Sequence, residues 1–160
     1  MQRRTWITLA PFAAALLLSA CATTPAPISV AQTIASNPQL TTAARLIREA
    51  GLTDTLQGAG PFTVFVPDDV AFKAVPPAMV DALAKDQARL KAVLNYHVVP
   101  AALTSGEIRN GPIKTAQGGE LSLYRAGGFI TADEAVVTTA DVRASNGVVH
   151  IVDKVLMPPR

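Results

Sequence analysis

The sequence predicts an α+β fold, in which helices dominate the first part of the chain and short strands follow. Before Pro100 most apolar residues recur at helical spacing, whereas after Pro100 the period changes to two. Helical segments followed by short strands predict helices packed against an antiparallel or mixed sheet. At 160 residues, the chain has room for one domain once its N-terminal processing segment is removed.

The helices predicted in the first part begin at residues that favour a helix N-terminus. These residues are Ser29, Thr41 or Thr42, Asp68, Pro76 and Asp86. Gly51 is expected to end the second helix. The helix after Asp86 has the clearest apolar face, which is formed by Leu90, Val93, Leu94 and His97. One strand, 62–66, interrupts the helices and ends at Pro67.

The strands predicted after Pro100 are separated by Gly-rich turns. They lie at 113–115, 121–124, 129–130, 136–138 and 148–152. Gly118-Gly119 and Gly127-Gly128 are expected hairpin turns, because no helix follows that would make either a phosphate-binding loop. Asn146-Gly147 is a dipeptide preferred in two-residue hairpin turns, and prolines follow the strand behind it. The pattern therefore predicts a hairpin return strand at the edge of the fold.

The N-terminus has the pattern of a bacterial export signal. Arg3 and Arg4 precede a short apolar run, and Leu18-Ser19-Ala20-Cys21 resembles a lipobox. In lipobox proteins the cysteine thiol is diacylated, the preceding peptide is cut and the new amino terminus is acylated. The alternative is an ordinary secretory signal with an incidental cysteine. The twin-arginine route fits Thr5-Trp6-Ile7 poorly.

These features divide the chain into a lipoprotein signal peptide (1–20), a lipid-anchored tether (21–28) and a domain (29–160). Ala22 follows Cys21 where an aspartate would signal inner-membrane retention in many Gram-negative bacteria. We therefore expect an exported protein, lipid-anchored in the bacterial envelope at the outer membrane or in the periplasm. Cys21 is the only cysteine, so an internal disulfide cannot form.

Composition gives little support to nucleic-acid binding or catalysis. The chain has 14 Lys and Arg against 12 Asp and Glu, and the signal removes two of the bases, so the mature chain is formally neutral. We expect no nucleic-acid partner. With 2 His, 1 Cys and no Gly-x-Ser-x-Gly motif, we expect no enzyme activity, metal or cofactor.

Several polar residues are expected to have structural roles. His97 lies on an apolar helix face, which predicts a buried, hydrogen-bonded histidine, whereas Tyr96 lies off that face and is expected to be partly exposed. His150 alternates with apolar strand residues, which predicts a surface or edge position. Asp68-Asp69 is expected to cap a helix, and Asp133-Glu134 to lie solvated in a turn.

Three separated segments resemble the fasciclin domain family in the expected order. They are Thr63-Val64-Phe65-Val66-Pro67-Asp68-Asp69-Val70-Ala71-Phe72, Asn95-Tyr96-His97-Val98-Val99-Pro100, and the closing stretch 146–158. The resemblance extends over about 28–158. It implies a compact wedge of two small β-sheets with several helices packed on one side, and it implies no cofactor.

The resemblance also implies work in adhesion, matrix contact or cell-surface interaction. In some animal members, a Tyr-His segment and an Asp-Ile pair contribute to integrin recognition. The matching positions here are Tyr96-His97 and Asp141-Val142, although Arg143 departs from the animal pattern Glu-Pro-Asp-Ile-Met. Tyr96, His97, Asp141 and Val142 are therefore the candidate contacts with a protein or matrix partner.

The functional expectation is a non-catalytic adhesion or protein-interaction module of the cell envelope, held at the membrane by the lipid on Cys21. The alternative is a periplasmic binder of a small hydrophobic or envelope-derived ligand. A sizeable apolar cavity would favour the alternative, and a closed core with an exposed patch would favour adhesion.

Overall fold

A computed structural model describes residues 28–158. The helices are α1 (Val30–Ser36), α2 (Thr41–Glu49), α3 (Thr53–Gln57), α4 (Asp69–Ala74), α5 (Pro77–Lys85) and α6 (Gln87–Tyr96). The strands are β1 (Phe62–Pro67), β2 (Val98–Val99), β3 (Gly111–Lys114), β4 (Glu120–Ala126), β5 (Phe129–Ala132), β6 (Ala135–Ala144) and β7 (Gly147–Val152). The α+β prediction is confirmed, and only α3 and β2 were not predicted. The predicted signal peptide and Cys21 lie outside the described residues.

The strands form a mixed sheet in the order β2-β1-β7-β6-β5-β4-β3. β7 pairs in parallel with β1 and antiparallel with β6. The predicted edge position of this closing strand is therefore wrong. Residues 148–152 are all buried, as expected of a strand covered on both faces. The prolines come after its last paired residue, Val152, so they do not confine it to an edge.

The long strand β6 joins two parts of the sheet. Its first residues pair with β5, and the rest of the strand pairs with β7. Register shifts between Val137 and Thr139, and between Thr139 and Val142, interrupt this second ladder. The expected two small sheets are thus two segments that share β6, and β-bulges re-aim the strand between them.

Each part of the sheet covers its own apolar cluster. The first cluster lies between the helices, β1 and β7, and includes Ile34, Leu40, Leu46, Val64 and Ile151. The second cluster lies under β2, β4 and β5, and includes Phe65, Tyr96, Leu121, Ile130 and Leu156. α6 contributes to both clusters, with Leu90 and Leu94 in the first and Tyr96 in the second.

The β6–β7 turn lies one residue earlier than predicted. Ala144 pairs with Gly147, so the two turn residues are Ser145 and Asn146. The Asn146 carboxamide ties this turn to the helical part. It accepts from the Val30 N–H at 2.8 Å and donates to the carbonyls of Leu56 (2.9 Å) and Gly58 (2.8 Å). These contacts, rather than a left-handed turn conformation, give the Asn-Gly pair its structural role.

Asp68 and Asp69 are helix caps, as predicted. Asp68 accepts from the Ala71 N–H at 2.6 Å at the start of α4. Asp69 reaches back to α2, where its carboxylate accepts from the N–H of Thr42 at 2.8 Å and from the Thr41 hydroxyl at 2.7 Å. Partial burial opposes its ionisation, but these hydrogen bonds lower the pKa of Asp69. The prediction that Thr41 or Thr42 caps α2 is wrong, because Asp69 satisfies that helix terminus.

Candidate functional site

Tyr96 is a core residue rather than a surface contact. Its side chain is 2% exposed, and its hydroxyl lies 2.8 Å from both the Glu120 carbonyl oxygen and Asp133 Oδ2. Burial, together with the hydrogen bond to Asp133, raises its pKa to about 12. The prediction of partial exposure is wrong because the last turn of α6 packs into the second cluster. Asp133 is solvated in its turn as predicted, but it also serves as this hydroxyl's acceptor.

Removing the Tyr96 hydroxyl is expected to weaken the fold. The Tyr96→Phe substitution should lower the free energy of unfolding by about 1–2 kcal/mol, because the hydrogen bond that the buried hydroxyl donates is lost. The Tyr124→Phe substitution is the control, since Tyr124 is 57% exposed, and we expect a change within about 0.5 kcal/mol. Urea unfolding of both variants measures the difference. Equal effects would contradict a structural role for the Tyr96 hydroxyl.

His97 is buried and hydrogen-bonded, as predicted. It is 3% exposed, Nδ1 lies 2.8 Å from the Val93 carbonyl oxygen, and Nε2 lies 3.0 Å from the Leu156 nitrogen. Because the Leu156 N–H must donate, Nε2 is the acceptor and Nδ1 carries the proton. Burial lowers the pKa of His97 to about 4. The ring therefore joins α6 to the C-terminal segment in its neutral form.

His150 is buried, so the predicted surface or edge position is wrong. Its ring lies against Phe65 with centroids 5.3 Å apart. Nδ1 accepts from the Asp141 N–H at 3.3 Å, and Nε2 donates to the Leu103 carbonyl oxygen at 2.8 Å. The 101–104 segment covers this face of β7, which strand alternation alone could not indicate. Burial lowers the pKa of His150.

Asp141 and Val142 lie in a bulge of β6, where Asp141 has φ 60. The Asp141 carboxylate accepts from both the N–H and the hydroxyl of Ser105, and the hydrogen bond from that hydroxyl lowers its pKa. Val142 is half-buried and packs against the first cluster. The four candidate contacts therefore form no common exposed surface, and each has an internal contact of its own.

Ser105, Asp141 and His150 do not form a nucleophilic triad. The Ser105 hydroxyl donates to Asp141 rather than to a histidine, and both ring nitrogens of His150 are occupied by backbone groups. His150 is therefore not placed to take a proton from the serine, as the base of a triad would be. Across 28–158 no three His, Cys, Asp or Glu residues are grouped to hold a metal ion. No helix in that range is long and apolar enough to cross a membrane.

The apolar cavity between the helices and β1 is small. Its volume is about 30 Å³, and Leu46, Phe65, Leu90 and His97 are among its lining residues. Sites for drug-sized ligands occupy roughly 300–1,000 Å³. The cavity therefore gives no support to the alternative of a small hydrophobic ligand held in the core.

Exposed aromatic side chains lie on the outer face of the sheet. Phe129 is 76% exposed, Tyr124 57% and Val136 36%. Thr131 is the cross-strand partner of both Tyr124 and Val136, and Phe129 lies two residues before Thr131 on β5. We call Tyr124, Phe129 and Val136 the outer aromatic patch. The sequence signal for it is the alternation around Gly127-Gly128, where residues that do not face the core face outward.

A second exposed apolar region lies on the helical side. Met79 and Met157 are 47% and 42% exposed, and both line an open groove beside α5 and α6. Leu83 and Val93 lie at the base of this groove, and Arg89 borders it. The groove has a volume of about 660 Å³, which is within the range of small-ligand sites, so the alternative of a small hydrophobic ligand fits this surface groove rather than the core.

Comparison with known proteins identifies the family. Residues 38–158 match the Fasciclin domain family. Protein sll1483 of Synechocystis is 34% identical over 140 residues, which span 86% of this chain and 78% of that protein. Cell surface glycolipoprotein MPB83 of Mycobacterium bovis is 34% identical over 135 residues, which span 81% of this chain and 60% of that protein.

The fold also matches a solved structure. A FAS1 domain pair from the insect cell adhesion molecule Fasciclin I aligns with a TM-score of 0.70 at 20% identity, over 81% of this chain and 51% of that chain. The fold and the three sequence blocks thus agree with the family match. We conclude that this chain belongs to the fasciclin domain family.

Proposed function

We propose that the chain is a non-catalytic interaction module of the bacterial envelope, held at the membrane by acylated Cys21, with a protein or matrix partner. Its partner binds the exposed apolar surface around the α5–α6 groove rather than a site in the closed core. Lipid anchoring keeps the domain near its site of action, which raises the effective concentration for a modest affinity.

One observation carries the proposal: the buried polar groups are already committed to internal hydrogen bonds. Both histidines and Tyr96 are satisfied by protein groups, and no buried side-chain N or O within 28–158 lacks a partner. Active sites instead hold titratable groups that converge on an open pocket. The exposed faces are what remains for recognition.

The anchor is supported by the lipobox-like segment and by the family match to a mycobacterial cell surface glycolipoprotein. The Cys21→Ser substitution is expected to release the protein from the membrane fraction, because two acyl chains give stable anchoring. Mass spectrometry of the mature wild-type protein should show an N-terminal residue 21 carrying acyl groups. Ala22→Ser is the control and should leave the protein on the membrane.

Membrane retention of the Cys21→Ser variant, or an unmodified cysteine in the mature wild type, would contradict the anchor. The partner is tested separately by crosslinking the lipidated protein in intact cells and identifying the adducts. We expect a discrete protein adduct. Protease treatment of the intact cells then determines the side: degradation indicates an outward-facing domain, and protection an inward-facing one.

A further inference from the structure

We propose that the β4–β5 hairpin, with its outer aromatic patch, docks on the lipid–water interface and fixes the orientation of the domain on its membrane. This inference rests on the proposed acyl anchor at Cys21. The occupant of the patch is thus a lipid surface, and the α5–α6 groove is left to face away from it.

The tether enters the domain at the β6–β7 turn. The Ser145 N–H donates to the Ile28 carbonyl oxygen at 2.8 Å, and the Val30 N–H donates to Asn146 at 2.8 Å. The start of the domain is therefore fixed at the β6–β7 turn. The chain from Cys21 to Ile28 spans at most about 25 Å even when fully extended. This end of the sheet is therefore held close to the membrane.

The strand topology places the earlier residues of β5 toward the C-terminal part of β6, which leads to the tether. β6 ends at Ala144 beside the turn and begins at Ala135 at the far end. Ala132 pairs with Ala135, and Thr131 with Val136. Because the pair is antiparallel, the earlier residues of β5 lie toward the turn. Phe129 and the tip at 127–128 therefore lie on the side of β5 that is nearer to the C-terminal part of β6, and the bulges of β6 set the angle between that part and the hairpin.

A set of contacts connects the hairpin to the C-terminal part of β6 through the 104–110 loop. Arg125 Nη1 donates to the Gly106 carbonyl oxygen at 3.1 Å, and the Arg125 N–H donates to Asn110 at 2.6 Å. The neighbouring Ser105 N–H donates to Asp141 at 2.7 Å. The 104–110 loop therefore holds the hairpin in a fixed relation to the strand that ends at the tether.

The side chains exposed around the hairpin are aromatic residues and arginines. Phe129 and Tyr124 are the type of aromatic side chain that favours a membrane interface. Exposed arginines lie around the same loop and hairpin: Arg109, Arg125 and Arg143. None of them is in an ion pair, since the one salt bridge within 28–158 joins Arg45 and Glu49.

Acidic groups lie on the tether side as well: Asp54 is exposed on α3, and Glu107 and Asp141 keep their charge, since hydrogen bonds lower the pKa of both carboxyls. Glu107 accepts from Thr104, and Asp141 accepts from Ser105. The opposite end of the outer face instead exposes Glu120, Asp133 and Glu134, together with Lys114. The three arginines near the tether can contact anionic lipid headgroups, whereas the exposed acids Glu120, Asp133 and Glu134 lie at the far end.

The test places a single fluorophore on each face of the lipidated protein. The natural tryptophan, Trp6, is the only one and lies in the predicted signal peptide. The Phe129→Trp variant probes the hairpin, and the Met79→Trp variant is the matched control on the α5–α6 groove. Both are purified with their acyl chains and inserted into phosphatidylethanolamine–phosphatidylglycerol vesicles, with or without bromine on the lipid acyl chains.

Emission from the Phe129→Trp variant is expected to shift to the blue and to fall about twofold in brominated vesicles, because an interfacial ring lies at the headgroup–acyl boundary. Emission from the Met79→Trp variant should be unchanged. Adding the Arg109→Glu and Arg143→Glu substitutions to the Phe129→Trp variant should reduce the quenching. Equal quenching at both sites, or none at the hairpin, overturns the docking.

Failure of the anchor would look different from failure of the docking. If mass spectrometry finds no acyl groups on Cys21, both proposals are overturned. If the protein is acylated and floats with the vesicles while the Phe129→Trp fluorophore remains unquenched, the anchor holds and only the docking is overturned.

Discussion

Replacing Gly147 with alanine is expected to lower the free energy of unfolding by about 4 kcal/mol or more, and to prevent folding in a domain of ordinary stability. An added Cβ would overlap the Phe62 carbonyl oxygen and lie 2.9 Å from the Phe62 carbonyl carbon. Both groups belong to backbone that is fixed by the parallel pairing of β1 and β7. Neither strand can move without breaking that ladder, which has a further strand on each side.

The Gly128→Ala substitution is the matched control for this effect. Gly128 lies in the β4–β5 turn, and an added Cβ meets nothing within 4 Å. We expect its unfolding free energy to stay within about 0.5 kcal/mol of the wild type. Urea unfolding followed by circular dichroism measures both variants. A Gly147→Ala variant as stable as the control would show that the β1–β7 contact is looser than described.

The stability of the domain is expected to fall by about 3 kcal/mol, through His97 alone, as the pH is lowered from 6.5 to about 4. The folded-state pKa is below the unfolded value, so the folded form binds fewer protons across this range. The stabilisation is therefore complete above pH 6.5 and is lost as the pH falls toward the folded pKa. Protonated Nε2 could no longer accept from the Leu156 N–H.

The His97→Gln substitution is expected to remove this part of the pH dependence. It should also lower stability near neutral pH, because the buried hydrogen bonds of the ring with Val93 and Leu156 are altered. The His150→Gln substitution keeps His97 and should therefore retain most of the slope. Unfolding free energies measured at a series of pH values provide the comparison. Parallel pH curves for the wild type and the His97→Gln variant would contradict the assignment to His97.

The order of helices and strands could be predicted from the sequence because it depends on local patterns. Asp86 caps α6 and Gly51 follows the end of α2, as their positions predict. The closing strand was misplaced for a non-local reason. A continuous apolar run is compatible with a central strand, but its parallel partner β1 is separated from it by the whole middle of the chain.

The misassigned side chains have the same explanation. Tyr96 lies off one apolar face of α6 but faces a second cluster, which the period of a single helix cannot reveal. His150 has the alternation of an exposed residue, yet the 101–104 segment covers it and accepts its N–H. Asp141 matches the position of a recognition residue but anchors Ser105. The outer aromatic patch was also not predicted. Alternation indicates that Tyr124 and Phe129 share a face of the sheet, but it does not indicate whether another part of the chain covers that face.

The most direct test of the account is site-directed photocrosslinking of the lipidated protein in its native envelope. A photoreactive residue replaces Met79 on the helical side in one variant and Phe129 on the hairpin in another; these residues are 47% and 76% exposed. We expect a discrete protein adduct from position 79 and lipid adducts from position 129. We also expect the protein adduct to persist in the Tyr96→Phe background. Loss of the adduct in that folded variant, or no protein adduct from the exposed helical side, would contradict binding through the surface.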